Sequence, residues 1–319
     1  MNIDVLALDG VFDTGLAVTL DAFTTANELA EAGGLAAPFD VRLVGLQDAV
    51  RSAQGLTVPV VDARLGPAPD WLVTPAIGCK MPEALALALA SPQVAEAGDL
   101  MRRRAAEGAK MAAPCIGAFI LAESGLLDGR TATTTWWLGP MFRQRYPKVR
   151  LDDSRMVVAS GDVVTAGAAL SHMDLALHLV RQASPDLAAL AARYLIVDSR
   201  PSQSAYVLVD HLAHADPVVG RFERWARARL DQGFSLDEAA ATVGASKRTL
   251  ARRIGQALGR TPLDYFQDLR VERAVHLLRT TQASVDDVAA RVGYADGVTL
   301  RALLRKRIGK GVREIRAQA

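Results

Sequence analysis

Hydrophobic and polar positions follow two different periodic patterns along this 319-residue chain. In roughly the first two hundred residues, short runs rich in valine, leucine and isoleucine alternate with stretches whose apolar residues recur at helical spacing. Strands alternating with helices are typical of a mainly parallel sheet covered by helices on both faces, so we expect an α/β fold here. The predicted strands are 3–8, 40–46, 57–61, 71–74, 110–113 and a hairpin of 156–160 with 163–166, and the predicted helices are 16–32, a helix-rich 82–107, 116–124 and 169–182.

From residue 217 onward the apolar residues recur at helical spacing, and one sequence pattern occurs there twice. The copies read SLDEAAATVGASKRTLARRIGQALGRTP from Ser235 and SVDDVAARVGYADGVTLRALLRKRIGKGV from Ser284. Each begins with a serine before acidic residues, which caps a helix and suits its positive end. In each copy the first predicted helix ends at Val-Gly, and a second helix rich in arginine and lysine follows. Helix, tight turn and second helix is the layout that presents a helix to the DNA major groove.

A third helical stretch, which begins at Pro262, joins the two copies. Its roughly 18 residues span about 27 Å at about 1.5 Å per residue. Two recognition helices that enter successive major grooves on one face of B-DNA lie about 34 Å apart. A stiff connecting helix of this length can therefore set the distance between the two repeats.

Polar and cationic side chains on the second helix of each repeat are the predicted DNA contacts. Residues at the start of such a helix reach base edges, and cations further along suit phosphates. The predicted DNA-binding residues are Ser246, Lys247, Arg248, Thr249, Arg252, Arg253, Thr299, Arg301, Arg305 and Lys306. Gly297 predicts a less regular start to the second of these helices, because glycine costs about 1 kcal/mol relative to alanine. The alternative is that these cations form only a solvated helix face.

Charge is divided unevenly between the two parts of the chain. Residues 216–319 hold 20 Lys and Arg against 12 Asp and Glu, a net charge of +8, whereas residues 1–215 carry a net charge of −6. A basic end attached to an acidic body is the layout of a sensor joined to a polyanion-binding module. We therefore expect a first domain at 1–196, a linker at 197–215 and a DNA-binding domain at 216–319.

Cysteine usage and the N-terminus bear on the compartment. The two cysteines, Cys79 and Cys115, argue against a disulfide framework and for a reducing environment. The opening MNIDVLALDG lacks the basic segment of a signal peptide, and the longest apolar run is too short to span a bilayer. We expect a soluble, cytoplasmic protein with no membrane partner, no cofactor and no metal site.

Residues 216–319 resemble the AraC/XylS-type DNA-binding domain, which has two helix-turn-helix units and a long joining helix. The resemblance rests on the segments SLDEAAATVGASKRTLARRI, LGRTPLDYFQDLRVERAVHLL and VDDVAARVGYADGVTLRALLRKRIG. It implies an all-α C-terminal domain that binds promoter DNA with sequence specificity.

Cys115 lies between a predicted strand and a helix that opens with Gly117, the arrangement of a nucleophile elbow. The helix N-terminus should lower the pKa of the thiol and attract an anion. The segments MAAPCIGAFILAESGLLDGRTATTTWW and TAGAALSHMDLALHLV are similar to PfpI-type, class I amidotransferase-like domains. This resemblance covers about residues 2–195 and implies a flavodoxin-like parallel sheet. With an AraC-type end it matches the GlxA-like subgroup of regulators, whose first domain senses small molecules.

Thr135 stands where enzymatic relatives in that family carry a histidine, so the cysteine–histidine pair that forms a thiolate is missing. We therefore predict no catalytic residue, and instead an effector pocket at the emptied site. Backbone N–H groups of Ile116 and Gly117 would hold a carboxylate, and Asp13 would face a cationic group. From the subgroup, an amino-acid-like or betaine-like effector is implied. The predicted pocket residues are Asp13, Cys115, Ile116, Gly117, Thr134 and Thr135.

The sequence thus predicts a homodimeric, sequence-specific DNA-binding transcriptional regulator that responds to a small-molecule effector. Two alternatives stay open. One is a cysteine-dependent hydrolase or glyoxalase-like enzyme with a basic tail. The other is a redox or electrophile sensor that uses Cys115 as its switch.

Overall fold

The computed structural model of the protein describes residues 1–198, 200, 202–203 and 216–316. The chain divides into two compact units, Met1–Ser204 and Ala205–Ala319. The first unit combines strands and helices, and the described part of the second is helical. Most of the predicted linker at 197–215 lies outside the described residues, so its boundaries stay a prediction.

The first unit is built on a seven-stranded sheet. Its strands, with those of two small sheets, are β1 (Asn2–Leu6), β2 (Asp40–Gly45), β3 (Ala49–Arg51), β4 (Thr57–Pro59), β5 (Val61–Asp62), β6 (Trp71–Val73), β7 (Lys110–Pro114), β8 (Thr131–Ala132), β9 (Arg150–Leu151), β10 (Val157–Ser160) and β11 (Val163–Ala166). The main sheet has the order β10-β11-β7-β6-β1-β2-β5. Only the β10–β11 hairpin in it pairs antiparallel, as predicted. The central order β2-β1-β6-β7-β11 is flavodoxin-like, which confirms the predicted fold class.

The single strand predicted at 57–61 is wrong, because this segment forms two strands in different sheets. β4 pairs antiparallel with β3. β5 pairs with β2 at the edge of the main sheet. Pro59 ends β4, since proline has no N–H with which to continue a ladder.

Helices cover both faces of the sheet. They are α1 (Asp13–Ala32), α2 (Pro82–Leu89), α3 (Pro92–Ala106), α4 (Gly117–Glu123), α5 (Gly139–Arg145), α6 (Ser171–Ala183) and α7 (Pro185–Tyr194). Helix α1 begins three residues before the predicted start. The helix-rich segment predicted at 82–107 is two helices, because Pro92 cannot continue α2 and instead opens α3.

Both sheet faces are buried beneath helices. Successive strand residues point to opposite sides of the sheet and therefore belong to two different core clusters. Leu72 and Met111 belong to the cluster that packs on α3 and α4. Val73 and Ala112 belong to the cluster that packs on α1 and α6. The loops at the carboxyl ends of the parallel strands are left to form a site, as in other open α/β sheets.

The described helices of the second unit confirm the predicted all-α domain with two helix-turn-helix repeats. They are Pro217–Arg227, Leu236–Thr242, the first recognition helix Lys247–Leu258, the joining helix Pro262–Thr280, Val285–Arg291, the second recognition helix Gly297–Ile308, and Val312–Arg316. Both predicted serine caps form. The Ser235 hydroxyl accepts from the Glu238 N–H, and Ser284 makes a capping box with Asp287.

The turn within each repeat depends on a glycine. Gly244 and Gly293 have φ angles of +65° and +76°, in the left-handed region that other residues rarely adopt. After the turn, each recognition helix buries a leucine completely, Leu250 in the first and Leu300 in the second. The two repeats therefore share one geometry.

Candidate functional site

Cys115 forms the predicted strand-to-helix elbow. It lies between β7 and α4 with a φ of +54°, and its N–H donates to the Ala166 carbonyl of β11 at 2.8 Å. Helix α4 starts against the end of β6, where a Cβ at Gly117 would collide with the Thr74 carbonyl oxygen. The sharp turn is thus fixed by two neighbouring strands.

The thiol itself differs from the sequence-based expectation. Cys115 is only 4% exposed. Burial raises its pKa to about 11 and outweighs the hydrogen bonds from the Ile116 and Ala169 N–H groups, which lower it. The expected lowering of the pKa by the helix N-terminus is therefore wrong, because the thiolate loses more solvation than the short helix returns. At neutral pH the group is a thiol.

A segment of three fully buried threonines contacts the elbow, namely Thr133, Thr134 and Thr135. The Thr134 hydroxyl donates to the Cys115 carbonyl at 2.7 Å. The Thr135 hydroxyl lies near the Cys115 sulfur and is among the contacts that lower the pKa of the thiol. Within the described part of the chain, its oxygen is buried without a partner. Thr135 therefore keeps an unused polar group at this site.

Gln203 enters the same region and was missed by the sequence analysis, which assigned it to the linker. Its side chain is 1% exposed. Its Nε2 donates to the Thr134 carbonyl at 2.9 Å and to the Thr133 hydroxyl at 3.2 Å, and its Oε1 accepts from the Ala168 N–H at 3.1 Å. Gly167 leaves room for it, since a Cβ there would clash with the amide. Nothing in the local sequence signals a contact with a threonine 70 residues away.

His172 is the histidine that the fold brings to this end of the sheet. It is fully buried, its Nε2 accepts from the Ala76 N–H at 3.1 Å, and its Nδ1 lies 2.6 Å from the Ala169 carbonyl. These two contacts assign the proton to Nδ1. Burial lowers the His172 pKa to about 4. Because Nε2 is already occupied by a backbone donor, His172 is not arranged as a base for the thiol.

Asp13 opens α1, and both of its carboxylate oxygens are occupied. One accepts from the Ser52 hydroxyl, and the other accepts from the Gln54 N–H at 3.0 Å. The Ser52 hydrogen bond is the main cause that lowers the Asp13 pKa, so the group is ionised. Its neighbour Phe12 donates its N–H to the Ala76 carbonyl, which ties the start of α1 to the loop that holds His172.

The two recognition helices have matching ends. The Ser246 hydroxyl caps the first by accepting from the Thr249 N–H, and Asp296 caps the second by accepting from the Thr299 N–H. Both helices have 12 residues and end at a left-handed glycine. The irregular start expected at Gly297 does not occur, because its N–H donates to Asp286 at 2.8 Å.

The predicted DNA contacts fall into two groups by their surroundings. In the first repeat Lys247 pairs with Asp237 at 2.8 Å, Arg252 donates to Gln256, and Arg253 pairs with Asp216 at 3.1 Å. Thr249 is half-buried beside its capping serine. The remaining predicted residues are exposed, namely Arg248, Thr299, Arg301, Arg305 and Lys306. Exposed guanidinium and ammonium groups on capped helices form a candidate nucleic-acid interface.

The joining helix holds both repeats through side chains that the sequence analysis did not single out. Asp268 pairs with Arg260, which follows the first recognition helix, and with Arg307 near the end of the second. Arg270 is buried, and its Nε donates to the Leu230 carbonyl at 2.9 Å. Its guanidinium also lies over the Phe266 and Tyr294 rings at 4.7 and 5.1 Å.

The described residues contain no group of three or more His, Cys, Asp or Glu side chains placed to hold a metal ion. In those same ranges, no helix is both long and apolar enough to cross a membrane.

Comparison with known proteins gives matches for both units. Residues 1–182 match the model of the DJ-1/PfpI family, and residues 226–318 match the model of a helix-turn-helix domain. These matches agree with the two resemblances drawn from the sequence.

Similar proteins from Pseudomonas span much of the chain. The HTH-type transcriptional regulator ArgR of Pseudomonas aeruginosa is 29% identical over 225 residues, which are 69% of this chain and 68% of ArgR. The HTH-type transcriptional regulator GbdR of the same species is 27% identical over 198 residues, 61% of this chain. The match spans only about half of GbdR, 54% of its length.

A solved structure of an AraC family transcriptional regulator from Pseudomonas putida aligns with a TM-score of 0.51 and 24% identity. The alignment covers 61% of this chain and 98% of that one. At this identity the match bears on the fold alone, and it agrees with the α/β architecture of the first unit.

Proposed function

This chain belongs to the DJ-1/PfpI family, and from that membership together with its helix-turn-helix unit we propose that it is an AraC-type, sequence-specific DNA-binding transcriptional regulator that responds to a small molecule. The observation that carries the proposal is the pair of capped recognition helices with exposed cations in one unit. We assign effector sensing and dimerisation to residues 1–196, the linker to 197–215 and promoter binding to 216–319. We propose promoter DNA as its partner and the cytoplasm as its compartment.

DNA binding is tested with purified full-length protein and a pool of random duplex DNA. We expect enrichment of one sequence, and an affinity for it that falls steeply with added salt, because phosphate contacts release counterions. Arg248→Ala should weaken binding, whereas Arg224→Ala, an exposed arginine of the same unit outside both repeats, should leave it nearly unchanged. No enriched sequence, or binding indifferent to salt, would end the proposal.

The effector site is proposed at the Cys115 elbow. The Thr135 hydroxyl, which has no partner among the residues that the structure describes, supports a polar ligand, because a buried hydroxyl without a partner is costly unless something binds it. The ionised Asp13 supplies negative charge. We propose the Ile116 and Gly117 N–H groups as the donors. A carboxylate would compete with the Cys115 sulfur for the Ile116 N–H. An amino-acid-like or betaine-like zwitterion offers both charges.

Thermal-shift measurements with amino acids and quaternary amines test this site, since a ligand that binds the native state raises the melting temperature. Glycine betaine, carnitine and L-arginine serve as first probes. Thr135→Val should abolish any shift, because it removes the hydroxyl and keeps the shape. Gln182→Leu, an exposed position on α6, is the matched control. A shift that persists in Thr135→Val would place the effector elsewhere.

We further propose that the protein is not an enzyme. A protonated, buried thiol and a histidine whose Nε2 is occupied do not form an activated nucleophile. The same burial argues against Cys115 as an electrophile sensor. Iodoacetamide at pH 8 should modify the half-buried Cys79 before Cys115 in the native protein, and both equally in urea. Faster modification of Cys115, or turnover lost in Cys115→Ala, would favour the alternatives.

A further inference from the structure

The two recognition helices correspond residue by residue. Each begins directly after its capping residue, Ser246 or Asp296, and each ends at a left-handed glycine after 12 residues. Position by position, Arg248 in the first helix therefore corresponds to Val298 in the second. The repeats place a guanidinium and a branched apolar side chain at the same point of the same fold.

Val298 is unusual for a valine because its side chain faces water. It is 71% exposed and lies in the first turn of the second recognition helix. Leu300 and Leu304, on the opposite face, are completely buried in the core of that repeat. Since residues three and seven apart share a helix face, Val298 shares its face with Arg301 and Arg305. Both arginines are exposed.

The chemistry of this face indicates what Val298 meets. The helix GVTLRALLRKRI contains no acidic residue, so its outer face attracts a polyanion. In the major groove each base edge offers hydrogen-bonding groups, and the thymine 5-methyl is the apolar group. With the first turn of this helix in the groove, the thymine methyl is the base-edge group that suits the apolar Val298 side chain.

We propose that Val298 reads the 5-methyl group of a thymine in the half-site bound by the second repeat. Arg248, at the corresponding position, pairs with a guanine in the other half-site, since arginine matches the guanine O6 and N7 acceptors. The operator therefore consists of two unlike half-sites. This inference rests on the proposed DNA binding and assigns a specificity to one residue of it.

Removal of a single methyl group from the DNA tests the proposal. The probe is the operator selected from random DNA by the full-length protein, with each thymine in turn replaced by uracil. One uracil position should weaken binding by the wild-type protein about fourfold, the effect of one buried methyl group. Val298→Ala should bind the thymine operator equally weakly and should show no further loss with uracil at that position.

Leu263→Ala is the matched control, because Leu263 is also an exposed apolar residue in the first turn of a helix of this unit. It should keep the full uracil effect. Uracil operators that all bind like the thymine operator would overturn the proposal, and so would a uracil effect that persists in Val298→Ala. If Val298→Ala weakens binding equally at every probe, Val298 contacts something other than a thymine methyl, and the proposal is again overturned. If no sequence is selected at all, the failure belongs to the proposed function.

Discussion

At the scale of single residues, Cys115 and His172 are both buried and both neutral at pH 7, for the same reason. Burial penalises the charged form of each group, which is the thiolate of Cys115 and the imidazolium of His172. The same effect therefore raises one pKa to about 11 and lowers the other to about 4. A site lined by two neutral groups and a threonine hydroxyl that has no partner among the described residues is suited to binding and poorly suited to covalent chemistry.

His172 makes the stability of the first unit depend on pH. Its folded pKa of about 4 lies below the unfolded value of about 6.5. Its contribution to the free energy of unfolding is thus fully present above pH 6.5 and is lost as the pH falls towards 4. The full loss amounts to about 3 kcal/mol. Urea unfolding at pH 7 and pH 5 should show a larger decrease for the wild type than for His172→Gln.

The exposed His276 supplies the control for this measurement. His276→Gln should retain the pH dependence of the wild type, because it removes an exposed histidine and leaves the buried His172 in place. An identical decrease in wild type and His172→Gln would mean that His172 is solvated in the native protein.

Gln203 is expected to stabilise the site through its amide. Gln203→Leu leaves the Ala168 N–H and the Thr134 carbonyl without that partner in the interior. We expect a loss of about 2–3 kcal/mol in the free energy of unfolding of the first unit. Gln182→Leu changes an exposed glutamine on α6 and should cost little. Equal stability of the two variants would show that water replaces the Gln203 amide.

At the scale of elements, the joining helix does more than separate the repeats. Asp268 forms ion pairs with Arg260 of the first repeat and with Arg307 of the second, so a single carboxylate contacts both repeats. Arg270, two residues further along the same helix, donates to the Leu230 carbonyl in the segment before the first repeat. The joining helix is thus connected to both repeats by side-chain contacts as well as by the chain itself.

Asp268→Asn should weaken this connection. It removes the charge that two arginines share in a half-buried position, at a cost of about 2 kcal/mol in the stability of the second unit. Affinity for an operator with two half-sites should fall, while affinity for a fragment with one half-site should stay constant. Asp231→Asn, an exposed aspartate of the same unit, is the control. A proportional loss on both DNA fragments would contradict a role in orienting the repeats.

Local patterns were sufficient to predict most elements, because helix caps, glycine turns and apolar periodicity each depend on residues that are close together in the sequence. Ser235, Ser284 and the elbow at Cys115 all form as predicted. Contacts between distant segments were not predictable from one sequence, and Gln203 shows this most clearly. The thiol pKa was wrong because the depth at which a residue is buried depends on the whole fold.

At the scale of the whole molecule, the charge of each part agrees with the role that we propose for it. The acidic first unit carries the candidate effector site, and the basic second unit carries the recognition helices. Net charges of −6 and +8 on the two parts mean that only the C-terminal part attracts a polyanion at long range. A ligand in the first unit can regulate the second only by binding one state of the protein more tightly than another.

The most direct test of two recognition helices on one DNA face is a change in half-site spacing. Five base pairs, about half a turn of B-DNA, are inserted between the half-sites of the selected operator, and the affinity of the full-length protein is measured. We expect the affinity to fall to that of a fragment carrying a single half-site, because the proposed binding mode places both recognition helices on one face of the duplex. Undiminished affinity for the inserted operator would contradict simultaneous binding by the two repeats.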